Sequence, residues 1–182
     1  MDGMLTKLRA AEPALPSADA VDTLLLCHQR IRHYSDLATR LADATNTTPV
    51  EIVETAMALV RYFRIALPLH VRDEEESVMP RLLALGVSLE SCSAVESSAA
   101  DHAMIELCVE NLASVWDDLI DHPERMGAHR PALRAMAARL HNLLEIHLSV
   151  EEAEVFPRLR THLSAATLQT IAQEMKDRRA EN

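Results

Sequence analysis

The sequence predicts an all-α protein: an up-down-up-down four-helix bundle with a short fifth helix at the C-terminal end. Three observations carry that prediction. The composition suits helices, because 182 residues include only three Gly and five aromatic side chains while 48% are hydrophobic, with Ala, Leu, Glu and Arg prominent. Four long stretches place apolar residues at helical spacing, with turn signals between them. One segment also occurs twice, as His70-Val-Arg-Asp-Glu74 with Pro80 and as His147-Leu-Ser-Val-Glu151 with Pro157. Both copies read His-x-x-x-Glu followed six residues later by Pro, and they lie 77 residues apart.

Residues 1–18 contain Pro13 and Pro16 and little periodicity, and are expected to form an arm. The bundle is expected over 19–163, and a short helix with a tail over 164–182. The first helix should run from about Asp19 to Asp43, on a stripe of Val21, Leu24, Leu25, His28, Ile31, Leu37 and Leu41. Thr48-Pro49-Val50-Glu51 has the form of a capping box with Pro at the first helical position, and starts a second helix that Gly86 should stop. Pro68 and Pro80 both remove hydrogen bonds from that helix, so a kink is expected near His70.

The third helix should span Leu89 to Asp121, with Met104, Ile105, Leu107, Leu112, Val115, Trp116 and Leu119 as core candidates. His122 to Gly127 reads as a loop, and Pro131 as the start of a fourth helix reaching His162 through Pro157. Ser164 should cap the fifth helix, whose apolar residues Leu168, Ile171 and Met175 either cap the bundle or offer an association face. A solvated tail, Lys176-Asp-Arg-Arg179, is expected to follow.

A net charge of −10 argues against sequence-independent nucleic-acid binding, since phosphate repels such a surface. Cys27, Cys92 and Cys108 show no paired or finger spacing and suit a reducing compartment. No apolar run approaches 18 residues and no segment reads as a signal peptide, so a soluble cytoplasmic protein without membrane association is expected.

His and Glu four apart on a helix are about 40° and roughly 6 Å apart, so both can reach one point. The chain has four such His-acid pairs, and alone they are weak signals. Requiring the Pro as well lowers the chance expectation to roughly 0.1, yet two are found. His28 precedes His70 by 42 residues and His102 precedes His147 by 45, so each half reads as a one-His helix followed by a His-x-x-x-Glu helix. Leu67, Val71, Val78, Leu148 and Val155 place both motifs on apolar stripes, where His and Glu are costly to bury unless ligated or hydrogen-bonded. His28, His70, Glu74, His102, His147 and Glu151 are therefore the candidate metal ligands. Glu106, one turn beyond His102, either points at the same metal or is a solvated acid. His33, His122, His129, His141 and His162 lie off these faces or at helix ends, and Glu75 and Glu152 read most simply as solvated. No His-activated Cys suggests a catalytic thiol.

These residues resemble the hemerythrin HHE cation-binding family, bacterial hemerythrin-like members in particular. The resemblance runs from Leu24 to about Arg179 and rests on Cys27-His28-Gln-Arg-Ile-Arg32, Arg61-Tyr-Phe63, Leu67-Pro-Leu-His70, Asp73-Glu-Glu75, Asp101-His102 and His147 to Pro157. It implies a four-helix bundle around two non-haem iron ions, with His28, His70, His102 and His147 as terminal ligands and Glu74 and Glu151 bridging. Ferritin-like bundles instead pair Glu-x-x-His with isolated Glu residues. Oxygen carriers of the family have a second His where this chain has Glu106. A further anionic ligand there would favour ferric iron and speed autoxidation.

The function expected is binding or sensing of O2, NO or iron itself, rather than a dedicated enzymatic activity. Two other readings stay open. One is a di-iron oxidoreductase consuming peroxide or NO, or an iron donor in repair, although the paired N-terminal cysteines of such repair proteins are not seen in this sequence. The other is a structural bundle with a degenerate site or one filled by zinc or another divalent metal, since zinc accepts the same ligands.

Overall fold

The structure is a computed structural model that describes residues 19–85 and 89–181, with the backbone alone described over 89–99. The N-terminal arm, the stop at Gly86 and the surroundings of Cys92 lie outside the described residues. Helix α1 is Ala20–Asp43, α2 covers 49–84, α3 is Leu89–Asp121, α4 covers 126–162 and α5 is Ala165–Ala180.

Local chemistry accounts for the boundaries. Asp19 and Asp22 form a reciprocal capping box at the start of α1. Thr48 and Glu51 do the same at the start of α2, with Pro49 at its first position. Ser164 accepts from the Thr167 amide to begin α5. The fourth helix does not open at Pro131. It begins at Met126, after a single 3₁₀ turn over Pro123–Arg125. Pro131 is accommodated because the carbonyl it leaves without a donor belongs to Gly127, which is exposed in the first turn of the helix.

The four long helices alternate in direction. His28 and Ser35 of α1 meet Glu152 and His141 of α4, and Arg64 and Glu75 of α2 meet Asp117 and His102 of α3. In each pair the numbers run oppositely, as they do where Tyr34 stacks on Tyr62 and His28 meets His70. This is the expected up-down-up-down bundle.

The interior has two apolar clusters. The larger contains Ile31, Leu59, Phe63, Leu112, Trp116, Leu140 and Leu148. The smaller contains Leu24, Val78, Val155, Phe156 and Leu159, and α5 closes it with Leu168, Ile171 and Met175. On α3, Ile105, Val109, Leu112, Trp116 and Leu119 are buried, but Met104 and Leu107 are 44% and 63% exposed. Those two core expectations fail because Leu107 lies about 160° round the helix from Ile105, and Met104 lies at the edge of the stripe, about 100° from Ile105.

The C-terminal tail is not solvated as a whole. Lys176 and Asp177 are exposed, whereas Arg178 is buried and α5 continues to Ala180. Arg178 donates to Asp73 at 2.6 Å and also to Ser77, and Arg179 donates to the other Asp73 oxygen at 2.6 Å. Charge pairing with a buried acid on α2 draws this end of the chain inward. Among the described residues no helix is long and apolar enough to cross a membrane.

Candidate metal centre

Proline shapes the helices that carry the two motifs. Neither breaks; each widens into π-helical turns, over Tyr62–Ala66 and Asp73–Val78 in α2 and over Glu151–Val155 in α4. Each wide turn ends just before a residue whose amide bonds five positions back: Leu67 to Tyr62, Met79 to Glu74, and Phe156 to Glu151. The next residue is Pro68, Pro80 or Pro157. A proline ring clashes with the carbonyl four residues before it and offers no N–H, so the extra residue in the turn absorbs both problems. The kink expected near His70 thus takes the form of a wide turn. The wide turns at the motifs begin at Asp73 and at Glu151, so His147 and Glu151 are set on one face by ordinary helical spacing, as His70 and Glu74 largely are.

The motifs meet in the layer between the two apolar clusters. His28, His70, Glu74 and Glu151 form one group of potential ligand atoms, and Glu74, His102, His147 and Glu151 form another, with the atoms of each group within 4.8 Å of one another. All six side chains are buried. Glu74 Oε1 lies 3.1 Å from His70 Nε2 and 3.9 Å from His28 Nε2, while its Oε2 lies 3.3 Å from His102 Nε2. Glu151 Oε2 lies 3.3 Å from His28 Nε2, and its Oε1 lies 3.4 Å from His147 Nε2. Each carboxylate therefore presents one oxygen to each pair of imidazoles, which is the geometry of a bridge between two cations.

Hydrogen bonding points the same way. Among the described residues eight buried side-chain nitrogen or oxygen atoms lack a hydrogen-bond partner, and seven belong to His28, His70, Glu74 and Glu151. Buried polar atoms normally find partners, so this concentration marks atoms reserved for something else. His28 Nδ1 bonds Glu152 at 2.9 Å and His102 Nδ1 bonds Glu75 at 3.0 Å. His147 Nδ1 lies 3.8 Å from Asp101. A proton on Nδ1 facing a carboxylate leaves the Nε2 lone pair directed inward, as a metal ligand requires. The Nε2 atoms of His102 and His147 approach to 3.1 Å, a close pairing of acceptors that a shared cation would relieve.

The electrostatics are in conflict without such a cation. Burial opposes charge on His28, but Glu151 and Glu74 outweigh it and lift its pKa to about 9. Burial also opposes charge on His102, and Glu74 and Glu75 likewise lift that group to about 9. Burial dominates at His70, which falls to about 4, and pushes His147 down too. Burial and then the neighbouring Glu74 charge raise Glu151 to about 8. Burial acts in the same direction on Glu74, but His70, His102 and His28 hold it well below the usual carboxylate range. Two divalent ions would let both carboxylates ionise and all four imidazoles stay neutral. The donor set, nitrogen plus carboxylate oxygen, fits iron and also zinc.

Six of the seven candidate ligands are thus brought together. The seventh, Glu106, is exposed and belongs to neither group. It lies on the wall of a cavity of about 560 Å³ that reaches His102. A second cavity, of about 480 Å³, reaches His70 from the other side. Glu75 and Glu152 are not simply solvated as expected, since each holds a ligand histidine on the facing helix. The available signal was the doublet Glu74-Glu75 and its copy Glu151-Glu152, in which the first acid turns inward and the second reaches across.

Fold and site together define a helical bundle that houses two metal positions sharing two carboxylates. A family model, the hemerythrin HHE cation-binding domain, matches residues 19–119, and the chain belongs to that family. The match covers α1 to α3; the second motif, on α4, lies beyond it and completes the centre. No curated protein matches the chain. The His/Glu clusters correspond to the hemerythrin di-iron pattern.

Proposed function

We propose that this protein binds or senses a small diatomic molecule, O2 or NO, at a di-iron centre, and is not a dedicated enzyme. The observation that carries the reading is the convergence of four imidazoles and two carboxylates in a buried layer, with a cavity reaching it from either side. Two ferrous ions held there would supply two electrons to a bound diatomic. The chain's own part is to fix the imidazoles through Glu75 and Glu152, to hold both carboxylates between the metal positions, and to exclude bulk water with the two apolar clusters.

The test begins with an anaerobic Fe(II) titration, followed by admission of O2 or NO under optical spectroscopy. The expected result is two iron ions per chain, lost in His70→Ala and in His147→Ala, and a new absorption band that forms once and persists. A single iron per chain would refute the two-metal reading. Continued consumption of NO or peroxide over many turnovers would instead assign an enzyme.

A further inference from the structure

The cavity of about 560 Å³ lies in the groove between α2 and α3, with Glu75, Glu106 and Glu110 on its wall and His102 at its inner end. His102, Glu106 and Glu110 follow at four-residue spacing on one unbroken helix, so they share a face in steps of about 6 Å. Glu106 and Glu110 are exposed, the Glu75 side chain is half exposed, and His102 is buried. The acids thus lead from solvent inward. Among the described residues neither Glu106 nor Glu110 makes a hydrogen bond or ion pair. Both arginines of the wall are paired with acids outside it. Arg64 is held by Asp117, and Arg72 by Glu76, which Arg178 also holds. Beyond His102 stands Glu74, fully buried, with neither oxygen hydrogen-bonded and its Oε2 3.3 Å from His102 Nε2. The cavity therefore ends on buried, unpartnered ligand atoms. Among the described residues no carboxylate lines the cavity on the other side of the centre.

We propose that this cavity is the route by which a divalent cation reaches the centre, with Glu110, Glu106 and Glu75 as successive carboxylates along it. The walls between them are apolar, with Phe63, Leu67 and Val109 buried there. Charge of one sign between low-dielectric walls concentrates counter-ions and raises association rates about 10–1,000-fold. Glu106 and Glu110 then act on the speed of loading and not as ligands, in keeping with their place outside both ligand groups. The inference rests on the two-metal reading of the centre and not on which diatomic the centre handles.

The experiment mixes Fe(II) anaerobically with the metal-free full-length protein and quenches at timed intervals with a chromophoric chelator that reads the unbound ion. In about 0.01 M salt, where charges act over about 30 Å, Glu106→Gln combined with Glu110→Gln should slow uptake about tenfold or more. In about 1 M salt, where that length is about 3 Å, wild type and variant should converge. Glu54→Gln combined with Asp121→Gln removes the same charge from exposed positions outside the cavity. That control should stay within about twofold of the wild-type rate. All three proteins should finish with the same count of two ions per chain, which also shows that the variants are folded. The wild-type count tests the centre and the rates test the route, so the two readings fail separately. Unchanged uptake in the cavity variant, equal slowing in the control, or slowing that persists in about 1 M salt would each overturn the proposal. A lower ion count in the cavity variant than in wild type would overturn it too, because the acids would then be ligands.

Discussion

Replacing Glu151 with Gln should make the metal-stripped protein more stable while destroying the centre. Glu151 is 2% exposed and lies beside Glu74, and burial together with that neighbouring charge raises its pKa to about 8 from an ordinary 4.5. At pH 7 the stripped native state therefore holds a proton that the unfolded chain would release. Keeping that proton costs about 3 kcal/mol. Gln has the same shape and no charge to neutralise, so the stripped variant should recover up to that amount. At roughly 2–4 °C per kcal/mol for a chain of this size, melting should rise by about 6–12 °C.

The pH dependence checks the cause. Because the folded pKa of Glu151 is raised, its contribution to stability is lost as pH rises from 4.5 through about 8. His28 and His102, raised to about 9, add a loss that starts near 6.5. His70, held down near 4, acts oppositely, but only below 6.5. Between pH 6.5 and 8 the stripped wild type should therefore lose stability, and Glu151→Gln should lose less. Differential scanning calorimetry after chelation measures both effects, and Fe(II) titration should show less than two iron ions per chain in the variant. A stripped variant less stable than stripped wild type, or wild-type stability rising across that pH window, would refute this account.

Three further outcomes are expected. Glu152→Gln removes the carboxylate from His28 Nδ1 and should weaken iron binding about 10–100-fold, as losses of such partners do, measured by competition with a calibrated chelator. Asp73→Ala leaves buried Arg178 without its closest acid; the lower end of the roughly 3–5 kcal/mol for breaking a buried pair is expected, because Arg179 is a third exposed, and urea denaturation reads it. Glu106→Ala should keep two iron ions per chain in the anaerobic titration, since Glu106 is outside both ligand groups.

Much of this protein was legible without coordinates because its signals are local or periodic. The Thr48 and Ser164 caps, the apolar stripes and the His70–Glu74 and His147–Glu151 pairs each follow from residues within a few positions of one another, while His28 and His102 follow from the repeat of the pattern in the two halves. The motif could be read twice because the same local geometry is used twice. Tertiary structure decided what depends on a facing helix. The sequence placed Glu75 and Glu152 next to candidate ligands, but only the neighbouring helix of the bundle could show that they reach His102 and His28. Only packing against Asp73 turned an apparently solvated Arg178-Arg179 pair into an internal tie. Glu106 illustrates the remaining difference: its spacing from His102 admits ligation, and its exposure on α3 places it outside both groups. A helix period specifies which residues share a face, whereas the partner that face meets is set by long-range packing.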